Sequence, residues 1–515
     1  MKTSLIAAIL AVTICHSQLT AQNKLSLPRS TPEEQGVSAV VINAFLDSIA
    51  KSKHEFQSFM LVRHGKVIAE GWWNPYRSDL KHTLYSLSKS FTATAVGFAK
   101  AEGKLALTDK VISFFPDKLP DTVSTYLKQL NVKDLLTMSV GQEPDPTFNT
   151  VQTKDWIKTF LATPIKYEPG SRFLYNSMAT YMLSAIVQKA TGQKVFDYLQ
   201  PRLFAPLGIS GIDWETDLNG INTGGWGLRL KTEDIAKFAQ LFLQKGKWNG
   251  KQILAEGWTD EASSAQIIQH PQYSQSKRDS SDWEQGYGYQ MWRCRHDAFR
   301  GDGAFGQYAI ILPEQDAVIA ITSETMDMQG ELNMIWNILL PAFQSGSLKS
   351  NQSADATLNK KLASLSLPVK KESISAKSAT IAGKTFTIES NILDIQSLAF
   401  DVKDNKYQVT INTTSDHYSF KLAPNSWETG ETTMDGPYLL SLATNNLEGL
   451  SAFKVASEYT WIDANTLELV FRYTESPHTR TMLCSFNGDN ISVVVKRSIL
   501  PDMQGGTVTL TGKKK

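Results

Sequence analysis

Cysteine is scarce: the 515-residue chain contains three. Cys15 lies in an N-terminal apolar stretch, while Cys294 and Cys484 fall in different candidate domains. No disulfide framework is therefore implied, and no Cys/His spacing suggests a zinc site. An excess of charge of either sign is also lacking. Lys plus Arg total 52 against 51 Asp plus Glu, a formal net charge of +1, so there is no electrostatic case for nucleic acid or an anionic membrane surface. The terminal Lys513-Lys514-Lys515 is too short to change that. Beyond the N-terminus no stretch approaches the roughly 20 apolar residues that a spanning helix requires, and no internal repeat is found.

The N-terminus carries Lys2, an apolar run from Leu5 to Ile14 and a small-residue exit at Leu19-Thr20-Ala21. This order predicts a secretory signal over residues 1–21, cleaved near Ala21, and a periplasmic or secreted protein. Ile14 is too bulky for the position before a lipidated cysteine, which argues against an anchor at Cys15.

The length suits two domains. Residues 22–345 mix short strands with capped helices. Gln57 to Glu70 holds two apolar runs around His64-Gly65, which predicts a hairpin. Thr232 to Gly246 predicts a helix with Thr232 as its cap and Gly246 beyond its end. Tyr308–Leu312 and Asp316–Thr322 are apolar runs joined by Pro313-Glu314-Gln315, which predicts buried antiparallel strands. Residues 346–376, rich in Ser, Lys and Asn, are read as a linker with a short helical patch at Leu358–Leu362. Residues 377–515 alternate in polarity between Asp/Asn/Gly turns, predicting a separate all-β domain of roughly eight strands.

Leu84 to Lys104 is the most informative segment, because it places Ser86 and Lys89 three residues apart where an amphipathic helix begins. On a helix these side chains share a face, so the amine can reach the hydroxyl. The same spacing at Ser48/Lys51, Ser274/Lys277 and Ser451/Lys454 shows that it carries little by itself. Two further elements follow in order. Tyr175-Asn176-Ser177 precedes an amphipathic helix from Met178 to Thr191, and Gly301-Asp302-Gly303-Ala304-Phe305-Gly306-Gln307-Tyr308 leads into the buried strand pair.

With Leu135–Gly141 and Gly224-Gly225-Trp226-Gly227-Leu228, this order resembles the beta-lactamase-related serine hydrolases: class C beta-lactamases, D-aminopeptidases, family VIII esterases and 6-aminohexanoate-dimer hydrolases. The resemblance covers about residues 30 to 345. It implies an α+β fold, with a beta-lactamase/penicillin-binding-protein-like antiparallel sheet flanked by helices and a helical subdomain, followed here by the separate all-β domain. It also implies Ser86 as nucleophile, Lys89 as the amine that helps deprotonate it, and Tyr175 as the phenol sharing that proton. Ser177 would support the second motif. The N–H of Ser86 and one near Gly303 or Ala304, on the edge formed by Gly301 and Asp302, would make an oxyanion hole. A donor of this kind is typically worth about 2.7 to 4 kcal/mol of transition-state stabilisation. The helix dipole and burial would both depress the Lys89 pKa, leaving a neutral amine or a polarised phenolate as general base near neutrality.

Two departures narrow the substrate. Class C beta-lactamases resemble one another in having Lys or His at the head of the third motif, where this chain has Gly301. The cation that would hold a carboxylate is thereby lost, and Asp302, if it faces the cleft, would repel one. Ser177 stands where an Asn amide is usual, as in the amidase and esterase branches.

The expected activity is an exported serine hydrolase that forms a Ser86 acyl-enzyme on a small ester or amide, with no metal or organic cofactor. One alternative is transfer of the acyl group to an apolar alcohol of sterol or bile-acid type, because an acyl-enzyme partitions between water and any alcohol held at attack distance. Another is a non-catalytic binding or sensor protein with the same fold. Trp72, Trp73, Trp226, Trp292, Tyr287 and Tyr289 are candidates to line an apolar pocket. His64, His82 and His296 have no paired acid that would build a Ser-His-Asp triad.

Overall fold

A computed structural model describes residues 26–515 apart from 372–380, 405, 441, 446, 448, 449 and 500–505. The expected signal at residues 1–21 and part of the expected linker lie outside the described residues. The chain divides into two compact units. The first contains the chain up to Gly71, Leu84–Ala363 and, from much later in the sequence, Thr444 and Asn445; the second contains Trp72–Thr83 and most of the chain beyond Ser364.

The first unit is built on a six-stranded sheet. Its strands are β1 (Glu55–Arg63), β2 (Lys66–Trp72), β3 (Trp292–Arg293), β4 (Phe299–Gly303), β5 (Gln307–Leu312) and β6 (Ala317–Glu324), in the order β2-β1-β6-β5-β4-β3. The predicted hairpin forms between β1 and β2, where His64 and Gly65 have φ of 49° and 71°, as a two-residue turn matched to strand twist requires. The predicted strand pair is β5 and β6, antiparallel from Tyr308 opposite Ile321 to Leu312 opposite Ala317. Every residue of β5 is buried, as are the first seven of β6, which explains their unbroken apolar runs.

Helices cover this sheet. In α1 (Ala39–Lys51), Ser38 Oγ accepts from the Val40 N–H at 3.3 Å, and Ile42, Phe45, Leu46 and Ile49 form one buried stripe. The helix α2 (Ser88–Ala101) is buried at every position from Ser88 to Ala99, making it a core helix. Residues of α3 (Ser177–Thr191) from Met178 to Val187 are likewise buried, and the helix ends at Gly192 with φ 74°. The predicted helix is α4 (Thr232–Leu243), but Thr232 is its first residue and Lys231 its cap. Thr232 Oγ1 instead donates to Ser58 Oγ of β1 at 2.8 Å. A buried partner on the sheet has outcompeted the local backbone for that hydroxyl. Phe238 of α4 stacks on Phe91 of α2 with ring centroids 3.9 Å apart. The segment read as a linker contains α5 (Gln352–Ala363), in the first unit.

The second unit is a closed β-barrel. Ten strands, β7 (Lys384–Ile388), β8 (Ile395–Lys403), β9 (Lys406–Thr413), β10 (His417–Pro424), β11 (Glu428–Thr432), β12 (Phe453–Trp461), β13 (Thr466–Tyr473), β14 (Thr479–Asn487), β15 (Asn490–Arg497) and β16 (Thr507–Lys514), run β10-β9-β8-β7-β16-β15-β14-β13-β12-β11. A parallel pairing of Ala423 and Pro424 with Glu458 and Tyr459 joins β10 to β12 and closes the ring. Alternating residues fill the interior, among them Phe386, Phe400, Tyr407, Phe420, Trp461, Phe471 and Val493. The unit also holds residues 72–83, the stretch that precedes Ser86 in the chain. Trp73, Tyr76 and Leu80 are buried there, Tyr76 Oη donates to the Ser476 carbonyl at 2.9 Å, and the Thr83 N–H donates to the Glu475 carbonyl at 2.9 Å.

Candidate active site

Ser86 lies in a single 3-10 turn, Tyr85–Leu87, immediately before α2. Between Leu80 and Ala99 it is the only residue that is not buried. Tyr85 enters the turn with φ 47°, a left-handed conformation uncommon for an aromatic residue. One turn later Lys89 is 2% exposed, with Nζ 2.9 Å from Ser86 Oγ and 2.7 Å from the Gly225 carbonyl oxygen. Burial is the main reason that the Lys89 amine is pushed down to about 7; Asp145 and Asp302 oppose the shift.

The loop that carries Gly225 is laced along the start of α2. Leu84 N–H donates to the Leu228 carbonyl at 3.0 Å, Leu228 N–H to Ser88 Oγ at 3.3 Å, and Thr92 Oγ1 to the Gly224 carbonyl at 2.9 Å. The loop thus fixes a carbonyl against the amine. Ser177 lies against it: a Cβ added to Gly225 would sit 2.9 Å from the Ser177 carbonyl oxygen and 3.5 Å from both Ser177 Cβ and Lys89 Nζ.

Tyr175 precedes α3 and is held by Asn176. The Asn176 side chain caps the helix, accepting from Met178 and Ala179 N–H at 2.9 and 3.1 Å, and donates to Gln142 Oε1 at 2.9 Å. The Tyr175 hydroxyl hydrogen-bonds the Ser86 side chain, and Lys89 Nζ is 5.0 Å from its ring centroid. Burial, then the charge of Asp302, raises the Tyr175 pKa far above that of a free phenol, with a smaller push from Asp145. A phenolate is therefore disfavoured here, contrary to one of the two general bases expected above. Of the six candidate aromatic residues, Trp292 stacks on Tyr175 at 5.8 Å and Tyr287 meets Trp292 edge-on at 4.8 Å. Trp226 packs on Trp156 and Tyr289 on Trp258, while Trp72 and Trp73 belong to the second unit.

The third motif is β4 and its turn. A Cβ at Gly301 would lie 2.5 Å from Leu87 Cδ1, and one at Gly303 2.0 Å from the Leu84 carbonyl oxygen. These glycines let the strand edge lie directly against the serine segment. Ala304 follows, and between Ala298 and Leu312 it alone is not buried. Asp302 is 7% exposed and does not stand as a free anion: Arg300, fully buried, places Nη2 2.7 Å and Nε 2.9 Å from Asp302 Oδ2. That partner went unrecognised in the sequence, although residues two apart on a strand share a face. Asp145, also unrecognised, accepts from Thr147 N–H and Oγ1 at 3.0 and 2.6 Å and acts electrostatically on both Lys89 and Tyr175.

Among the described residues the side chain that meets Ser86 Oγ at 2.9 Å is Lys89, through Nζ, an amine and not an imidazole. His82 lies in the second unit, its Nδ1 3.0 Å from the Thr83 carbonyl oxygen; His64 bonds Gln35, and His296 packs on Trp336. Among the described residues no cluster of three or more His, Cys, Asp or Glu side chains has the arrangement of a metal site, and no helix is long and apolar enough to cross a membrane.

Residues 53–342 match the family described as Beta-lactamase. The 6-aminohexanoate-dimer hydrolase of Paenarthrobacter ureafaciens is 24% identical over 323 residues, 58% of this chain and 80% of that protein. An Escherichia coli O157:H7 protein with a provisional D-alanyl-D-alanine carboxypeptidase name is 25% identical over 243 residues, 41% of this chain and 54% of its own length, so the chain spans about half of that relative. Among solved structures, the octameric penicillin-binding protein homologue from Pyrococcus abyssi is 14% identical with a TM-score of 0.47, covering 92% of this chain and 99% of its own.

Proposed function

Since the chain belongs to the beta-lactamase family of hydrolases, we propose that it is a serine hydrolase that cleaves a small ester or amide through an acyl-enzyme on Ser86. The observation that carries this reading is the Lys89 amine, buried, held near neutrality and 2.9 Å from the partly exposed Ser86 hydroxyl. A neutral Lys89 takes the proton as Ser86 Oγ attacks the substrate carbonyl carbon. The Gly225 carbonyl holds the resulting ammonium. Negative charge develops on the substrate oxygen, where the N–H groups of Ser86 and Ala304 receive it. Tyr175, kept as a phenol, gives its proton to the leaving group and regains one from Lys89. The C–O or C–N bond breaks and the acyl group stays on Ser86. Attack by water, deprotonated along the same route, releases the acid and restores the serine.

The β4 edge favours a neutral substrate. Gly301 offers no cation where a carboxylate would be held, and Arg300 is committed to Asp302 and to the Asp282 carbonyl at 2.8 Å. Esters and uncharged amides fit this edge better than beta-lactams or peptide carboxylates. The test is intact-mass spectrometry with p-nitrophenyl esters, D-amino-acid amides and nitrocefin, with and without an alcohol. An adduct on Ser86 that discharges to water supports the hydrolase. An adduct that clears faster with a new ester product would make the protein an acyltransferase, and turnover by Ser86→Ala would overturn the assignment.

A further inference from the structure

The turn that presents Ala304 is under conformational strain and is braced from behind by groups outside the cleft. Phe305 and Gly306 both have positive φ, 70° and 96°, and such a pair including a bulky residue persists only where its surroundings hold it. Gly303 carbonyl and Ala304 N–H share one planar peptide and point in opposite directions. That carbonyl accepts from the Gly306 N–H at 3.2 Å inside the turn, which directs the Ala304 N–H outward. The next carbonyls are fixed in turn. Gln307 Nε2 donates to the Ala304 carbonyl at 3.1 Å, and the Thr325 N–H to the Phe305 carbonyl at 3.0 Å.

Ser323 of β6 completes the brace. Its Oγ lies 2.9 Å from the Phe305 carbonyl oxygen, 2.9 Å from the Gly306 carbonyl oxygen and 3.0 Å from Glu331 Oε2. A hydroxyl has one proton. With Glu331 ionised, that proton would face three acceptors, leaving two close oxygen–oxygen contacts with none between them. With a proton on Glu331 Oε2, the acid donates to Ser323 Oγ and the hydroxyl hydrogen serves the two carbonyls. Glu331 is fully buried, and its Oε1 has no partner among the described residues. The charged and titratable groups around it give no reason for ionisation. Asp327 is an anion, Tyr308 donates its hydroxyl to the Met328 carbonyl, His54 bonds Thr325, and Lys53 is paired with Asp327 at 3.0 Å. Burial pushes the carboxyl well above the usual range. Gly306 permits this approach, since a Cβ there would sit 2.0 Å from Ser323 Oγ and 2.3 Å from Glu331 Oε2.

We propose that Glu331 is a positioning residue, a carboxylic acid kept neutral that acts through Ser323 to hold the Ala304 N–H in place as an oxyanion donor. The proposal rests on the Ser86 and Ala304 roles given above. Its test reads the rate of Ser86 labelling by a fluorophosphonate, resolved into binding and bond-forming constants. Glu331→Gln, which can still donate to Ser323, is expected to label within about twofold of the wild type. Glu331→Met is expected to lose roughly 10- to 100-fold in the bond-forming constant, less than outright deletion of an oxyanion donor, with binding unchanged. If the Met variant does not fold, Ser323→Ala carries the same expectation, because it cuts the link and keeps the acid. A Met or Ala variant that labels at the wild-type rate overturns the proposal. Infrared difference spectra of the wild type against Glu331→Gln at pH 8 should show a protonated carboxyl band that shifts in deuterium oxide, and an ionised carboxylate would overturn it. A wild type that is never labelled defeats the Ser86 reading instead, and the infrared result still decides the state of Glu331.

Discussion

The two units bury different things. The first places an amine, a phenol and the Arg300–Asp302 pair in its interior around one partly exposed serine; the second fills a closed barrel with aromatic and aliphatic side chains. Burial moves Lys89 down to about 7, where it can exchange a proton at neutral pH. In the barrel, burial alone moves the Cys484 thiol up to about 12, which makes it inert. Desolvation yields chemistry only where the affected group has a reaction partner within bonding distance and an opening beside it. The barrel's core cluster is made mostly of aliphatic and aromatic side chains, with no lysine among them.

Four substitutions probe the contrast between the units. Ser86→Ala should abolish adduct formation by intact mass while leaving the melting temperature close to the wild type. Lys89→Met should lower kcat/KM by 10³-fold or more, on the order expected for loss of a general base acting as a unit with its nucleophile, and it should raise stability. The sign follows from linkage. The native amine titrates near 7 and the unfolded one at 10.5, so below pH 10.5 the unfolded chain binds the extra proton and the native state is penalised increasingly until about pH 7. The Met variant removes that penalty, and urea titrations at pH 7 should show a gain of a few kcal/mol that fades toward pH 10. The wild-type kcat/KM should correspondingly fall below a limb near pH 7 as the amine becomes protonated.

Tyr175→Phe should cost about 10²- to 10⁴-fold in kcat, the range for a positioned proton donor, with a smaller loss for substrates whose leaving group needs no proton. This is measured with paired nitrophenyl and alkyl esters. In the barrel, Phe400→Ala should destabilise the second unit by about 3–5 kcal/mol, read by chemical denaturation, without shifting the pH limb of the folded enzyme. A shifted limb would show that the barrel tunes the amine, and the contrast between the units would fail.

Much of the candidate site's geometry was legible because its determinants are local. Ser86 and Lys89 meet through one helical turn, and Asn176, Ser177 and Tyr175 lie within three residues of one another. The spacing of Gly301 and Gly303 marks a strand that something approaches closely. The partners that tune these groups were not legible. The carbonyl that receives the Lys89 amine is 136 residues away, and a carbonyl carries no residue-type signal. Whether Asp302 faces the cleft as an anion was left open by the sequence, and its pairing with Arg300 emerged only from the strand geometry. The Thr232 hydroxyl was read as a cap because local hydrogen bonding is the default for threonine. Nothing in the local sequence pattern marks Glu331 as buried, because its burial comes from contacts with Gly306 and Ser323.

Local pattern alone carried the strand pair, the helices flanking Ser86 and Tyr175, the apolar alternation of an all-β domain, and the placing of a serine and a lysine on one helical face. All of these follow from backbone periodicity, which acts over a few residues. The folded arrangement was needed to establish that the lysine is dry, that its amine meets the Gly225 carbonyl, that Asp302 is paired with Arg300, and that the Ala304 turn has Glu331 behind it. Those properties depend on desolvation and on contacts closed across the chain. They arise when distant segments exclude water together.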